Sequence, residues 1–121
     1  MSLISEPPHR LVLCTCPDLE TAEQLGMALV AKNLAACVNI LPGLTSIYRW
    51  QGRLEREPEC LLLIKTRQDV LSTLSETLQQ LHPYELPEII AVSVTEGLSA
   101  YLDWIDQALD AGPATPEQED G

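Results

Sequence analysis

Apolar residues along this chain switch between two spacings, and the switches mark the elements. Residues 11–16 form a short apolar run stopped by Pro17 and Asp18, which predicts a strand. Leu19, Ala22, Leu25, Gly26 and Leu29 then recur at helical spacing within residues 18–33, with Asp18, Glu20 and Glu23 suited to the positive end of a helix dipole. Residues 35–41 read as a second strand, kinked at Pro42 and Gly43 and resumed over 46–50. Gln51 and Gly52 predict a tight turn into a third strand over 53–65, whose polar part runs from Glu55 to Glu59. Thr66 to Asp69 resembles a capping box with Asp in place of Glu or Gln. Leu71, Leu74, Leu78 and Leu81 follow at steps of 3, 4 and 3, which gives a second amphipathic helix. A loop held between Pro83 and Pro87 leads to a fourth strand over 89–94, and Ser99 is placed to cap a last helix carrying Leu98, Tyr101, Leu102, Ile105 and Leu109.

The order β-α-β-β-α-β-α is that of an α+β, ferredoxin-like βαββαβ sandwich with a long β2–β3 hairpin and an extra C-terminal helix. Such a sheet carries helices on one face and should alternate apolar and polar residues if its other face is wet. These strands do not alternate. Leu61, Leu62, Leu63 and Ile64 are consecutive, and Ile89, Ile90, Val92 and Val94 fall on both faces. With no spare helix in the chain, a partner subunit is the economical cover, which predicts a homo-oligomer; the alternative is the long hairpin folding back over its own sheet.

One domain fits 121 residues, taken as residues 11–110 between a flexible N-terminus (1–10) and a disordered acidic tail (111–121). His9 falls in the first of these segments and is expected to be solvated. Aromatic residues make up 4% of the chain and Phe is absent, so the core must be aliphatic. The formal charge of -11, from 18 acids against 7 bases, disfavours nucleic acid and anionic membranes as partners and favours cations. No charged segment precedes an apolar run at the N-terminus, and no run reaches the ~20 apolar residues of a membrane helix. The expected compartment is therefore the cytoplasm, with Cys14, Cys16, Cys37 and Cys60 as free thiols.

Cys14 and Cys16, two apart in a strand, leave the same face and read either as small core hydrophobes or as a pair of soft-metal ligands. Cys37, between Ala36 and Val38, and Cys60, between Glu59 and Leu61, read as packed rather than reactive. His82, ahead of Pro83 in a loop with Tyr84, Glu85 and Glu88, reads as a helix C-terminal residue favoured by the dipole, or as a metal ligand or base. Lys65 ends a strand and reads as a solvated strand end or an anion site, while Trp50, Tyr84, Tyr101 and Trp104 could line a cleft, with core or interface packing the plainer reading of helical Tyr101 and Trp104. No nucleotide-binding, zinc-protease or nucleophile-elbow motif is present, so no catalytic residue is assigned and an enzyme is not expected.

Five strings in order resemble one family. They are Ala-Ala-Cys-Val-Asn at 35–39, Ser-Ile-Tyr-Arg-Trp-Gln-Gly at 46–52, Lys-Thr at 65–66, His-Pro-Tyr-Glu-Leu-Pro-Glu at 82–88 and Tyr-Leu-Asp-Trp at 101–104. Together they resemble the CutA divalent-cation-tolerance proteins over about residues 11–109. The resemblance implies a tight homotrimer of ferredoxin-like subunits with the hairpin reaching a neighbour. It also implies a role in tolerance of copper or another divalent cation, exerted by binding the ion. Suggested metal ligands of the family correspond to Cys14 and His82. A second His found before that position in some relatives is Leu81 here, and Cys16 is a possible substitute. Inter-subunit clefts of the family correspond to Cys37, Trp50, Lys65, Tyr84, Glu88 and Tyr101. A second functional class stays open, a PII-like signalling trimer holding a small metabolite or a protein partner in those clefts.

Overall fold

The computed structural model describes residues 7–112; residues 1–6 and 113–121, which include most of the two segments expected to be flexible, lie outside the described residues. Strand β1 (His9–Cys16) leads to helix α1 (Leu19–Ala31), then to strands β2 (Cys37–Trp50) and β3 (Arg53–Arg67). A 3₁₀ turn (Gln68–Val70) runs into α2 (Leu71–Leu81), followed by β4 (Ile90–Ser93) and α3 (Ser99–Asp110). The sheet order is β2-β3-β1-β4 with every pairing antiparallel, which is the ferredoxin-like arrangement the element order predicts.

Local chemistry sets most boundaries. Asp18 caps α1 by accepting a hydrogen bond from the Thr21 amide at 2.8 Å. That bond and the carboxylate it favours hold the Asp18 pKa below its ordinary value. Helix α2 buries Leu74 and Leu78 completely, while Leu81 is exposed, so the leucine stripe narrows toward its C-terminus. Gln51 and Gly52 both have positive φ, 53° and 80°, and close β2 onto β3 in the primed turn that matches strand twist. The Pro42–Gly43 kink is a bulge between Leu41 and Leu44 that leaves β2 one continuous strand.

Two expected caps are absent. The Thr66 hydroxyl does not cap a helix, because Thr66 lies within β3 and donates instead to the Leu34 carbonyl at 2.7 Å. Helix α3 begins after Leu98 with no side-chain cap, so Ser99 is its first residue. At Thr66 a distant backbone carbonyl takes the hydroxyl, and the local motif loses.

Residues paired across an antiparallel ladder share a face, so the register sorts the sheet. Val12, Cys14 and Cys16 of β1 share one face with Cys60, Leu62 and Ile64 of β3. These residues pack with Ala22, Leu25 and Leu29 of α1 and Leu74 and Leu78 of α2 in the main core. The opposite face carries Leu11 and Leu13, Leu61 and Leu63, Leu41, Ile90 and Val92. Helix α3 covers only one end of it, through Ala36, Ile105 and Leu109 and through polar contacts to β1 and β3. The chain does therefore spend one helix on that face, which the sequence pattern did not anticipate. It is not enough. Ile90 remains 52% exposed and Val92 42%.

His9 and Arg10 also depart from expectation, since both are buried residues of β1 rather than part of a flexible N-terminus. The Val94 amide donates to the His9 carbonyl, and the His9 ring meets Asp106 of α3 at 3.0 Å. Beyond the Cys16–Cys60 pair, β1 ends and the β2–β3 hairpin continues alone. Its 44–59 arm projects roughly 25 Å, at about 3.3 Å per residue, with no third strand beside it among the described residues.

Candidate functional site at the His82 loop and the strand ends

Helix α2 stops because Pro83 cannot continue it, and His82 takes the C-terminal position with extended backbone, its amide still bonded to the Leu78 carbonyl. The imidazole turns inward and is 7% exposed. Its Nε2 lies 2.8 Å from the Thr15 carbonyl, and its Nδ1 accepts the Tyr84 amide at 3.1 Å. An accepting Nδ1 and a carbonyl partner for Nε2 together assign the Nε2–H tautomer. Both ring nitrogens are occupied by backbone, so the ring ties the loop to β1 and leaves no lone pair for a metal.

Cys14 and Cys16 face the main core and are 0% exposed. Burial pushes the Cys14 thiol up to about 12, with Cys16, Glu88 and Glu59 adding repulsion to its thiolate. Cys16 is pushed up to about 11, again mainly by burial and then by Cys60. Metal ligation needs the thiolate, which this setting disfavours. Among the described residues no three His, Cys, Asp or Glu side chains converge as a metal cage would require. The sequence-predicted ligands Cys14, Cys16 and His82 are thus neighbours through Thr15, but their chemistry here does not fit a ready-made copper or zinc centre.

Beside His82 lies a polar cluster that sequence reasoning missed. Glu59, 8% exposed, accepts hydrogen bonds from the Ser46 and Tyr84 hydroxyls, each at 2.6 Å. Burial first, and then the Glu59 bond, raises the Tyr84 pKa well above its ordinary value. The Tyr84 ring packs tilted against His82 at 4.8 Å between centroids. The cluster therefore joins the 82–88 loop to the root of the hairpin arm. Its signal in the sequence is parity: Glu59 is in phase with Leu61 and Leu63, so an acid sits where the strand points into its apolar face.

The six expected cleft residues separate into three places. Tyr84 and exposed Glu88 belong to the loop. Cys37 and Lys65 are opposed across β2 and β3, and the Lys65 ammonium reaches the Tyr101 hydroxyl at 3.3 Å and lies 5.4 Å from its ring centre. Tyr101 in turn packs on Trp104 at 5.4 Å. Trp50 sits at the tip of the arm, paired with Arg53, twelve residues and roughly 40 Å of strand from Lys65. One chain cannot bring Trp50 to Lys65.

The end of the sheet near α3 is held by charge. Arg67 pairs with Asp69, Asp106 and Asp110 at 2.7, 3.2 and 2.8 Å, and Asp106 also meets His9. Those bonds lower the pKa of Asp69 and Asp110 and raise that of Arg67. No helix among the described residues is long and apolar enough to cross a membrane.

Comparison with known proteins agrees with this geometry. Residues 10–108 match the family model of the CutA1 divalent ion tolerance protein. The divalent-cation tolerance protein CutA of Thermus thermophilus is 52% identical over 97 residues, which is 80% of this chain and 94% of that one. The crystal structure of CutA from Xylella fastidiosa superposes with a TM-score of 0.83 at 48% identity, covering 85% of this chain and 99% of the other. A protein of Archaeoglobus fulgidus, named a periplasmic divalent cation tolerance protein CutA, superposes at 0.82 with 36% identity, covering 84% and 99%. With the fold, the 82–88 loop and the long hairpin all in place, this chain belongs to the CutA1 divalent-ion-tolerance family.

Proposed function

We propose that this chain acts in divalent-cation tolerance as a cytoplasmic, non-catalytic homotrimer, and that its effect on copper or another divalent cation does not run through a preformed centre at Cys14, Cys16 and His82. The observation that carries the reading is the second sheet face. Seven aliphatic side chains from all four strands point there, α3 covers one end only, and Ile90, Val92 and Leu41 stay 52%, 42% and 49% exposed. A contiguous apolar face of this kind favours association. The arm supports the same reading, since Ile47, Tyr48, Trp50 and Leu54 are exposed along a hairpin with no partner strand of its own. A neighbour's arm would bring a second Trp50 toward the Lys65–Tyr101 end, which a single chain cannot do.

The test is native mass spectrometry of untagged protein, followed by titration with Cu and Zn. A trimer is expected, with no tight one-per-subunit uptake that depends on Cys14 or His82. Stoichiometric uptake lost in Cys14→Ser and His82→Ala would overturn the second half of the reading, and a monomer would overturn the first.

One observation favours a PII-like variant of this function. Lys65 is a partly buried cation set beside stacked Tyr101 and Trp104, a combination suited to a small anionic metabolite between subunits. A metabolite retained on purification and lost in Lys65→Ala would support it; empty protein across a metabolite screen would count against it.

A further inference from the structure

We propose that Cys16 and Cys60 form an oxidisable pair, a cross-strand disulfide site that staples β1 to β3 at the root of the hairpin arm. The two residues are direct partners in the antiparallel register, at the last position where β1 and β3 pair. They share the core-facing side of the sheet, and both are buried, at 0% and 4% exposure. Directly opposed residues in an antiparallel ladder have Cα atoms about 4.5–5.5 Å apart, inside the roughly 4.4–6.8 Å window of disulfides. Their Cβ atoms, at about 4.5–5.5 Å, need to close by only about 1 Å.

No other pair of the four cysteines qualifies. Cys14 is opposed by Leu62, which makes it a diagonal neighbour of Cys60 at about 7–8 Å. Cys37 is opposed by Lys65 and lies on the other face. Cys14 and Cys16 are two apart on one strand, about 6.4–6.8 Å between Cα atoms, at the outer limit of the disulfide window and with parallel rather than converging Cβ vectors. Register and strand geometry together therefore select one of six possible pairings.

With a peroxide as oxidant, one thiolate attacks a peroxide oxygen, the O–O bond breaks, and a sulfenic acid and water result. The second thiolate attacks that sulfur, the S–S bond forms, the S–O bond breaks, and the oxygen leaves as a second water. Two electrons pass from the sulfurs to the peroxide, and the two thiol protons end in the two waters. Burial, and the raised thiol pKa of Cys16, make the reaction slow at neutral pH and faster in mild alkali. The product closes a loop that holds α1, β2 and the whole arm, so it restricts the unfolded chain and fixes the arm's root.

The experiment treats the native, full-length protein with hydrogen peroxide at pH about 9 and reads it by intact mass and non-reducing tryptic mapping. Expected are a loss of about 2 Da that a reductant reverses, and a link between peptides 11–32 and 57–65. Because the first peptide holds both Cys14 and Cys16, the link must persist in Cys14→Ala and vanish in Cys16→Ala and Cys60→Ala. The oxidised form should also melt higher, by on the order of 5 °C or more. A link through Cys14, or sulfinic acid without any link once Cys37 is fully oxidised, would overturn the pair. A linked form that melts no higher would overturn the staple. Should an alanine variant fail to fold, fragmentation of the wild-type linked peptide distinguishes Cys14 from Cys16.

Discussion

On the face covered by α1 and α2, Val12, Cys14, Leu62 and Ile64 are 0% exposed, while on the opposite face Ile90 and Val92 are 52% and 42% exposed. Polarity does not separate the two faces, since both are apolar along most of β1 and β3. What separates them is cover. Two helices close the first face, whereas α3 closes one end of the second and its polar anchors stop at His9, Lys65 and Arg67. An aliphatic strand face thus reports where a surface must be covered and leaves open which chain covers it.

The comparison is broken most severely by charging the uncovered face. Ile90→Asp or Val92→Asp should give insoluble protein, because both residues point to the apolar side that α3 leaves uncovered and that we propose other copies cover. A soluble monomer with native helix content would refute this. Next in size, Leu62→Ala on the covered face should cost about 2–5 kcal/mol of stability, read as a lower denaturant midpoint. Tyr84→Phe removes one of the two hydroxyls that serve buried Glu59 and should cost about 1–3 kcal/mol.

Two pH effects have opposite signs. The Cys14 thiol is raised from an ordinary 9.0 to about 12, so its contribution is complete below pH 9 and is lost as pH rises toward 12. Denaturant midpoints should fall over that window, and Cys14→Ala should flatten the fall. Asp69 and Asp110 are lowered by their bonds to Arg67, so their contribution is present above the ordinary carboxylate range and is lost as pH falls through their lowered values. Both are exposed, so Asp110→Asn should shift the acid midpoint only slightly, and added salt should erase the difference.

Much of this was legible in the sequence. Element order, the turn at Gln51–Gly52 and the leucines of α2 follow from periodicity and turn chemistry, and the apolar runs of β3 and β4 announced a second apolar face. The failures have a common origin in contacts between residues distant along the chain. His9 and Arg10 are polar and precede the apolar run, so nothing local marked them as strand; His9 is held by Asp106, 97 residues away. Thr66 looked like a cap until the Leu34 carbonyl took its hydroxyl. Within the candidate site, the Cys14–Cys16 pair was legible as a shared face. That the face is the dry core, which disfavours the thiolate, depends on α1 and α2. Glu59 went unseen because an acid beside Pro58 and Glu57 reads as solvated until the partners Ser46 and Tyr84 are placed.

The most direct test of the account is the mass of the untagged protein in solution across a dilution series, by sedimentation equilibrium. A trimer gives three times the chain mass, persisting to submicromolar concentration, with the uncovered face protected from hydrogen exchange in β4. A folded monomer at those concentrations, with β4 exchanging freely, would contradict it.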